Sequence, residues 1–327
     1  MKFATIGHLR KPEEIDYFPK SWMHKNLVVF PQLEIRGIKG YITGLTVTAQ
    51  QLMEMPQEIS RKQILDAAIY LQNEFQVDII QLGALTTSVT SGGKWIIEQK
   101  DYKGFVNHGD SYTASITCQT VQKTLQHFHK EPADQTLAIV GAYGIIGEAV
   151  SKILAPQFKH TILIGRRVEK LNELQKYIRG NFTTTVDLNT IKEADIVVTA
   201  TSHPTALICS EHLKKQAIVV DVSQPPNLAF EVCQQRPDIY RIDGGLVTFP
   251  AHIPIPGMPT GKIFACIAEV IMQALENEPK NHVGSIDLKH LKKTEQWGKK
   301  HGFIIGDLTN FGKTIVKKNL REINDNK

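Results

Sequence analysis

Only four cysteines occur in 327 residues, Cys118, Cys209, Cys233 and Cys266, and no two have C-x-x-C spacing. Neither a zinc ribbon nor a dithiol redox motif is therefore encoded, and no other metal-ligand spacing is visible. No apolar run approaches the roughly 18 residues of a spanning helix. The start, Met1 and Lys2 before a short apolar run broken by His8, Arg10 and Lys11, is too brief for a signal peptide. Free thiols and a cytoplasmic location are the expectation. Internal repeats and low-complexity linkers are missing too. With 42% hydrophobic and 22% charged residues, 23 Gly and 15 Pro, collagen-like and disordered chains are excluded. At roughly 150 residues per domain the chain has room for about two domains.

The net charge of +5 is unevenly spread: 11 of the basic but only 5 of the acidic residues lie from Lys280 onward. This basic tail reads first as a solvated helix face. Its charge would also suit an acidic protein or an anionic membrane surface, and Trp297, Phe303 and Ile304 offer apolar contacts for either. Nucleic acid is not expected as a partner.

Three regions emerge from the element pattern. Residues 1–130 mix β-rich segments at 27–30, 33–38 and 41–47 with a helix opening at Ser60, where Ser60 and Gln63 have capping-box spacing. A strand at 77–82 then feeds the hydroxyl-rich loop Gly83 to Gly93, and a helix begins near Asp110 or Ser111. Residues 131–250 alternate β-branched runs at 136–140, 161–164, 195–200 and 217–222 with helical stretches, the pattern of a parallel sheet flanked by helices. Residues 251–327 open on Pro254, Pro256 and Pro259 and continue as an apolar helix over 262–275 before the tail. The expected fold is thus α/β: a doubly wound Rossmann-type domain, an α/β N-terminal domain and a C-terminal helical segment.

The strand at 136–140 runs directly into G-A-Y-G-I-I-G. Gly141, Gly144 and Gly147 lie between strand and helix, where glycines permit a tight turn and close approach of a pyrophosphate to the helix N-terminus. Tyr143, Ile145 and Ile146 complete that cofactor-binding turn. The next strand ends in Gly165, Arg166 and Arg167, with no carboxylate to meet a ribose hydroxyl. Two guanidiniums suit a phosphate, which points to NADPH. Thr201 and Ser202, after the strand at 195–200, and the segment Asp221 to Asn227 lie at strand ends where such sheets place ligands.

Cys266 stands in G-K-I-F-A-C-I-A-E, early in a predicted helix, with Lys262 four positions before it. A helix N-terminus and a lysine on the same face would favour a thiolate, whereas Cys among Ile, Phe and Ala also reads as a small core hydrophobe. Cys118, Cys209 and Cys233 read as structural. A thiol nucleophile beside a hydride donor would suit reduction of a thioester.

These residues resemble the long-chain acyl-[acyl-carrier-protein] reductases of cyanobacteria. The resemblance covers nearly the whole length, through F-A-T-I-G-H-L, D-I-I-Q-L-G-A, N-H-G-D-S-Y-T-A, G-A-Y-G-I-I-G, I-D-G-G-L-V, I-F-A-C-I-A-E and H-G-F in the family's order. It implies that Cys266 is acylated, that the glycine turn and the Arg166 region hold NADPH, that acyl-carrier protein or acyl-CoA is the partner, and that the product is a fatty aldehyde. Tyr143 and Ile145 depart from the family's small hydroxyl residue and Asp, and the segment before the Cys266 helix is richer in proline.

Gly83 to Ser88 or Gly109 to Thr113 could stabilise a carbonyl oxygen. His108, His203 and His252 are candidate proton donors, with His108 first because it precedes a helix start. Two other readings stay open: a dehydrogenase of the shikimate or glutamyl-tRNA reductase type, and a non-catalytic NADPH-binding sensor or adaptor.

Overall fold

Aliphatic and β-branched runs build two parallel cores, and the chain divides into two units accordingly. The structure is a computed structural model that describes residues 1–315 apart from His252 and Pro256. His252, a proton-donor candidate, and the last basic residues of the tail lie outside the described residues.

The first unit comprises Met1–Tyr112, Phe249–Ile253 and Ile263–Phe303. Its sheet contains β1 (Phe3–Leu9), β2 (Met23–His24), β3 (Leu27–Val29), β4 (Leu33–Ile35), β5 (Ile38–Thr48), β6 (Ile79–Leu82) and β7 (Phe105–Asn107). The order is β2-β3-β5-β1-β6-β7, with β4 also on β5. β5, β1, β6 and β7 run parallel, so their carboxyl ends share one edge. Phe3, Ile6, Ile79, Ile80 and Val106 are wholly buried, as expected for strands covered on both faces.

The helix Gln57–Phe75 buries Ile64, Ala68 and Leu71, an i, i+4, i+7 stripe. It starts before the expected Ser60, with Pro56 as its N-cap residue. Ser60 lies inside it and donates to the Leu52 carbonyl at 2.9 Å. The capping box is instead at Thr48 and Gln51, opening the helix Ala49–Glu54.

The second unit comprises Thr113–Thr248, Pro254–Lys262 and the residues from Ile304. Its sheet, β8 (Thr136–Val140), β9 (His160–Ile164), β10 (Phe182–Thr185), β11 (Ile196–Thr199), β12 (Ile218–Asp221) and β13 (Tyr240–Asp243), has the order β10-β9-β8-β11-β12-β13 and is parallel throughout. That is the doubly wound Rossmann arrangement, with its switch point between β8 and β11.

The boundaries differ from those expected at 130 and 250. The apolar helix, observed as Ala265–Leu275, belongs to the first unit with the helix Leu288–His301, so the C-terminal segment is not a third body. Trp297 and Phe303, expected to be available to a partner, are core residues at 4% and 0% exposure. Ile304 is exposed.

Asp221, a candidate ligand neighbour, is spent on the fold. Its carboxylate accepts from Thr199 Oγ1 at 2.6 Å, from the N–H groups of Ser223, Asn227 and Leu228, and from Arg241 Nε at 3.2 Å. Arg241 also donates to Asp243 at 2.7 Å and lies over the Phe311 ring, so β12, β13 and the following loop share one buried ion pair. Removing the cation leaves two acids uncompensated. Arg241→Met should cost about 3–5 kcal/mol of stability in a denaturant titration; a loss below about 1 kcal/mol would contradict this role.

Candidate functional site

In the second unit, β8 delivers Gly141 to the switch point with φ +87°, and a Cβ there would overlap the Ala200 carbonyl at the end of β11. A Cβ on Gly147 would overlap the Gly141 carbonyl. Gly141 and Ala142 donate to the Ile164 carbonyl, and Gly144 to that of Gly141 at 2.8 Å, which fixes the turn. Gly144 is the N-cap of the helix Ile145–Leu154 and supplies no capping side chain. The first-turn N–H groups of Ile145, Ile146 and Gly147 therefore form an anion seat made of backbone alone.

The partly buried Tyr143 covers Gly165, and its hydroxyl accepts the Arg166 N–H at 3.1 Å. Both arginines are exposed. Along the same sheet edge Thr201 Oγ1 donates to Asn227 Oδ1 at 2.7 Å, while Asn227 Nδ2 is buried without a partner. Ser202 is exposed, and His203 Nδ1 is turned to the Thr205 carbonyl at 2.9 Å. A glycine cradle, an uncapped helix start and an orphaned buried donor fit a dinucleotide. Gly141, Tyr143, Gly144, Ile145, Ile146, Gly147, Arg166 and Arg167 come together at one end of the sheet.

In the first unit, Cys266 is the second residue of the helix Ala265–Leu275 and keeps partial exposure. Asn107, at the end of β7, accepts the Gly109 N–H through Oδ1 at 2.5 Å and donates to Gln273 Oε1 at 2.6 Å. Gly109, at φ +72°, lies directly on Cys266: a Cβ there would stand 2.5 Å from Cys266 Cα. No other residue fits between these two backbones.

Two carboxyls flank the thiol. Asp110 is pushed well above the usual carboxylate range by burial and by the charge of Glu269. Glu269 is wholly buried on the cysteine helix; its Oε2 accepts the Tyr112 N–H at 2.7 Å and its Oε1 pairs with His290 Nε2 at 3.1 Å. Burial alone would raise the Glu269 carboxyl, but His290 and the Tyr112 N–H bring it below its ordinary value.

The thiol itself is pushed up to about 12, by desolvation first and Asp110 second. This corrects the expected thiolate. The helix N-terminus acts in the expected sense, but burial outweighs it, and Lys262 is in a strand of its own, donating to the Asp307 carbonyl at 3.4 Å.

His108 is drawn into this cluster in a role other than the one expected. It is 2% exposed, its Nδ1 accepts the Asp110 N–H at 2.9 Å, and burial brings it down to about 4. A neutral ring at pH 7 that caps the helix Asp110–His127 is a positioning group rather than an imidazolium donor. The loop after β6 is likewise self-satisfied: Thr86 donates to the Ile6 and Gly83 carbonyls, Thr87 to that of Leu82, and Thr90 to that of Thr86.

Among the described residues, Glu278, His282 and His290 bring a carboxylate oxygen and two ring nitrogens within 4.8 Å of one another. The two rings are stacked at 3.5 Å and 8°, so their in-plane lone pairs run parallel instead of converging. Lys293 Nζ already sits 2.5 Å from Glu278. Glu278 is thus taken by Lys293, and His290 Nε2 faces Glu269 rather than Glu278. Sequence reasoning missed Glu269 and His290, and read Asp110 only as a helix start and part of a donor loop; the available signal was an acid one helical turn after Cys266 in a largely apolar helix.

Residues 121–244 match the family model of shikimate / quinate 5-dehydrogenase. Over 91% of its length the chain is 24% identical to the aminotransferase PigE of a Serratia species, covering 36% of that protein. It is 28% identical to the long-chain acyl-[acyl-carrier-protein] reductase of Synechococcus elongatus over 60% of each protein. The chain thus spans about a third and three-fifths of these two relatives. Among solved structures, glutamyl-tRNA reductase of Methanopyrus kandleri is 19% identical with a TM-score of 0.34, covering 59% of this chain and 45% of that one. The matched stretch lies within the second unit and has the Rossmann-like α/β fold. No helix among the described residues is long and apolar enough to cross a membrane.

Because a thiol near 12 is almost wholly protonated at pH 8, Cys266 should react with iodoacetamide at least about tenfold more slowly than the exposed Cys209, and faster as pH rises toward 10. Asp110→Asn removes an acid beside the sulfur and should raise the Cys266 rate at fixed pH. Peptide-mapping mass spectrometry reads both, and rapid labelling at pH 7 that does not change with pH would contradict the assignment.

Proposed function

We propose that the chain is an NADPH-dependent reductase of long-chain acyl thioesters that forms a fatty aldehyde through an acyl group on Cys266. The observation that carries this reading is the seating of Cys266 at a helix start, pressed by the bare Gly109 backbone and flanked by Asp110 and Glu269. The 28% identity to a reductase of that substrate class supports the same reading.

In the first half-reaction the Cys266 sulfur attacks the thioester carbonyl carbon. A new carbon–sulfur bond forms, the bond to the carrier sulfur breaks, and the Cys266 proton ends on the carrier thiol. Holding the thiol protonated between turnovers keeps it from oxidation, since oxidation follows thiolate character. When bound, NADPH supplies the hydride that releases the acyl group as aldehyde, a solvent proton restoring the thiol. Gly141, Gly144 and Gly147 would hold its pyrophosphate and Arg166 and Arg167 its 2′-phosphate. The acyl donor is an acyl-carrier protein or acyl-CoA, and the exposed Lys292 and Lys299 offer positive charge to either.

The match over 121–244 favours one second reading, a shikimate-type dehydrogenase, which would not need Cys266. Incubation with NADPH and a long-chain acyl-CoA or acyl-carrier protein should yield aldehyde measurable by gas chromatography. Cys266→Ala should lower that rate by roughly a thousandfold while leaving NADPH binding intact. Unchanged turnover in Cys266→Ala, or no aldehyde from the wild-type chain, would overturn the proposal.

A further inference from the structure

We propose that Tyr143 is the specificity-determining residue of the nucleotide site, selecting a phosphorylated ribose by holding the Arg166–Arg167 pair in its binding arrangement. The assignment rests on the NADPH reading above and deepens it.

Three contacts carry it. The Tyr143 ring lies against Gly165, so closely that any side chain at 165 would overlap it. Its hydroxyl accepts the backbone N–H of Arg166 at 3.1 Å, which pins the chain where β9 ends. The Arg167 guanidinium stands over the ring, 5.6 Å from its centre. One side chain from the glycine turn therefore fixes the backbone of the first arginine and the side chain of the second.

The end of this strand is where such folds discriminate the two nicotinamide cofactors. Both arginines are exposed, and neither guanidinium forms an ion pair among the described residues. A free arginine surrenders much rotamer freedom when it closes on a phosphate. A guanidinium already resting on an aromatic face has less to lose, and its N–H edge stays open to oxygen ligands. Gly165 is part of the device, because its missing side chain makes room for the ring.

The test is isothermal titration of the full chain, its Tyr143→Phe and Tyr143→Ala variants, with NADPH, NADH, 2′,5′-ADP and 5′-ADP. Tyr143→Ala should weaken NADPH and 2′,5′-ADP about fivefold and change NADH and 5′-ADP by less than about twofold. Tyr143→Phe keeps the ring under Arg167 and should retain most of the NADPH affinity. Equal weakening of all four ligands, or tighter binding of all four, would overturn the assignment alone, since the ring would then be a general platform or an obstruction. A wild-type chain that binds none of the four would overturn both the assignment and the NADPH reading beneath it.

Discussion

A carboxylate with no water to solvate it must be paired, and in the first unit that constraint falls on Glu269. Its two oxygens take the Tyr112 N–H and the His290 ring, so one residue joins the cysteine helix, the first turn of the helix Asp110–His127 and the helix Leu288–His301. The pairing explains the neighbourhood. With that turn held at Glu269, Gly109 lies on Cys266 and only a glycine with φ +72° can occupy the place. The same negative charge works against ionisation of Asp110 and of the thiol, so a site that resembles an activated cysteine from its helix position is at rest a protected one.

The second unit solves a different problem with the same economy of side chains. At its switch point the chain turns between β8 and a helix with no room for a Cβ at Gly141 or Gly147, leaving backbone N–H groups to meet an anion. Side chains enter only at the edges. Tyr143, in the turn after β8, meets the two arginines where β9 ends, whereas Asp221 is consumed by Arg241 and the loop that follows β12.

Much of this was legible in the sequence where the determinants are local. The β-branched run at 136–140 followed by glycines gives the strand and turn observed, and the alternation after it gives a parallel doubly wound sheet. What was not legible depends on residues far apart in sequence. Tyr112 and Glu269 are separated by 157 positions and Glu269 and His290 by 21, so the spacing that sets Glu269 one turn after Cys266 does not reveal the partners that hold it. On the basic helix the lysines form the expected solvated face; only the availability of Trp297 and Phe303 differs, because Leu291, Thr294 and Trp297 form a buried stripe on the opposite side, a period visible in the residues themselves.

On the proposed reading Cys266 accepts an acyl group before any hydride is involved. The decisive experiment is intact-protein and peptide mass spectrometry after incubation with a long-chain acyl-CoA, with no nicotinamide cofactor present. A stable adduct of one acyl group mapped to Cys266, lost when NADPH is added, is the expected result. An adduct on Cys209, Cys233 or Cys118 alone, or none at a concentration that supports turnover, would contradict it.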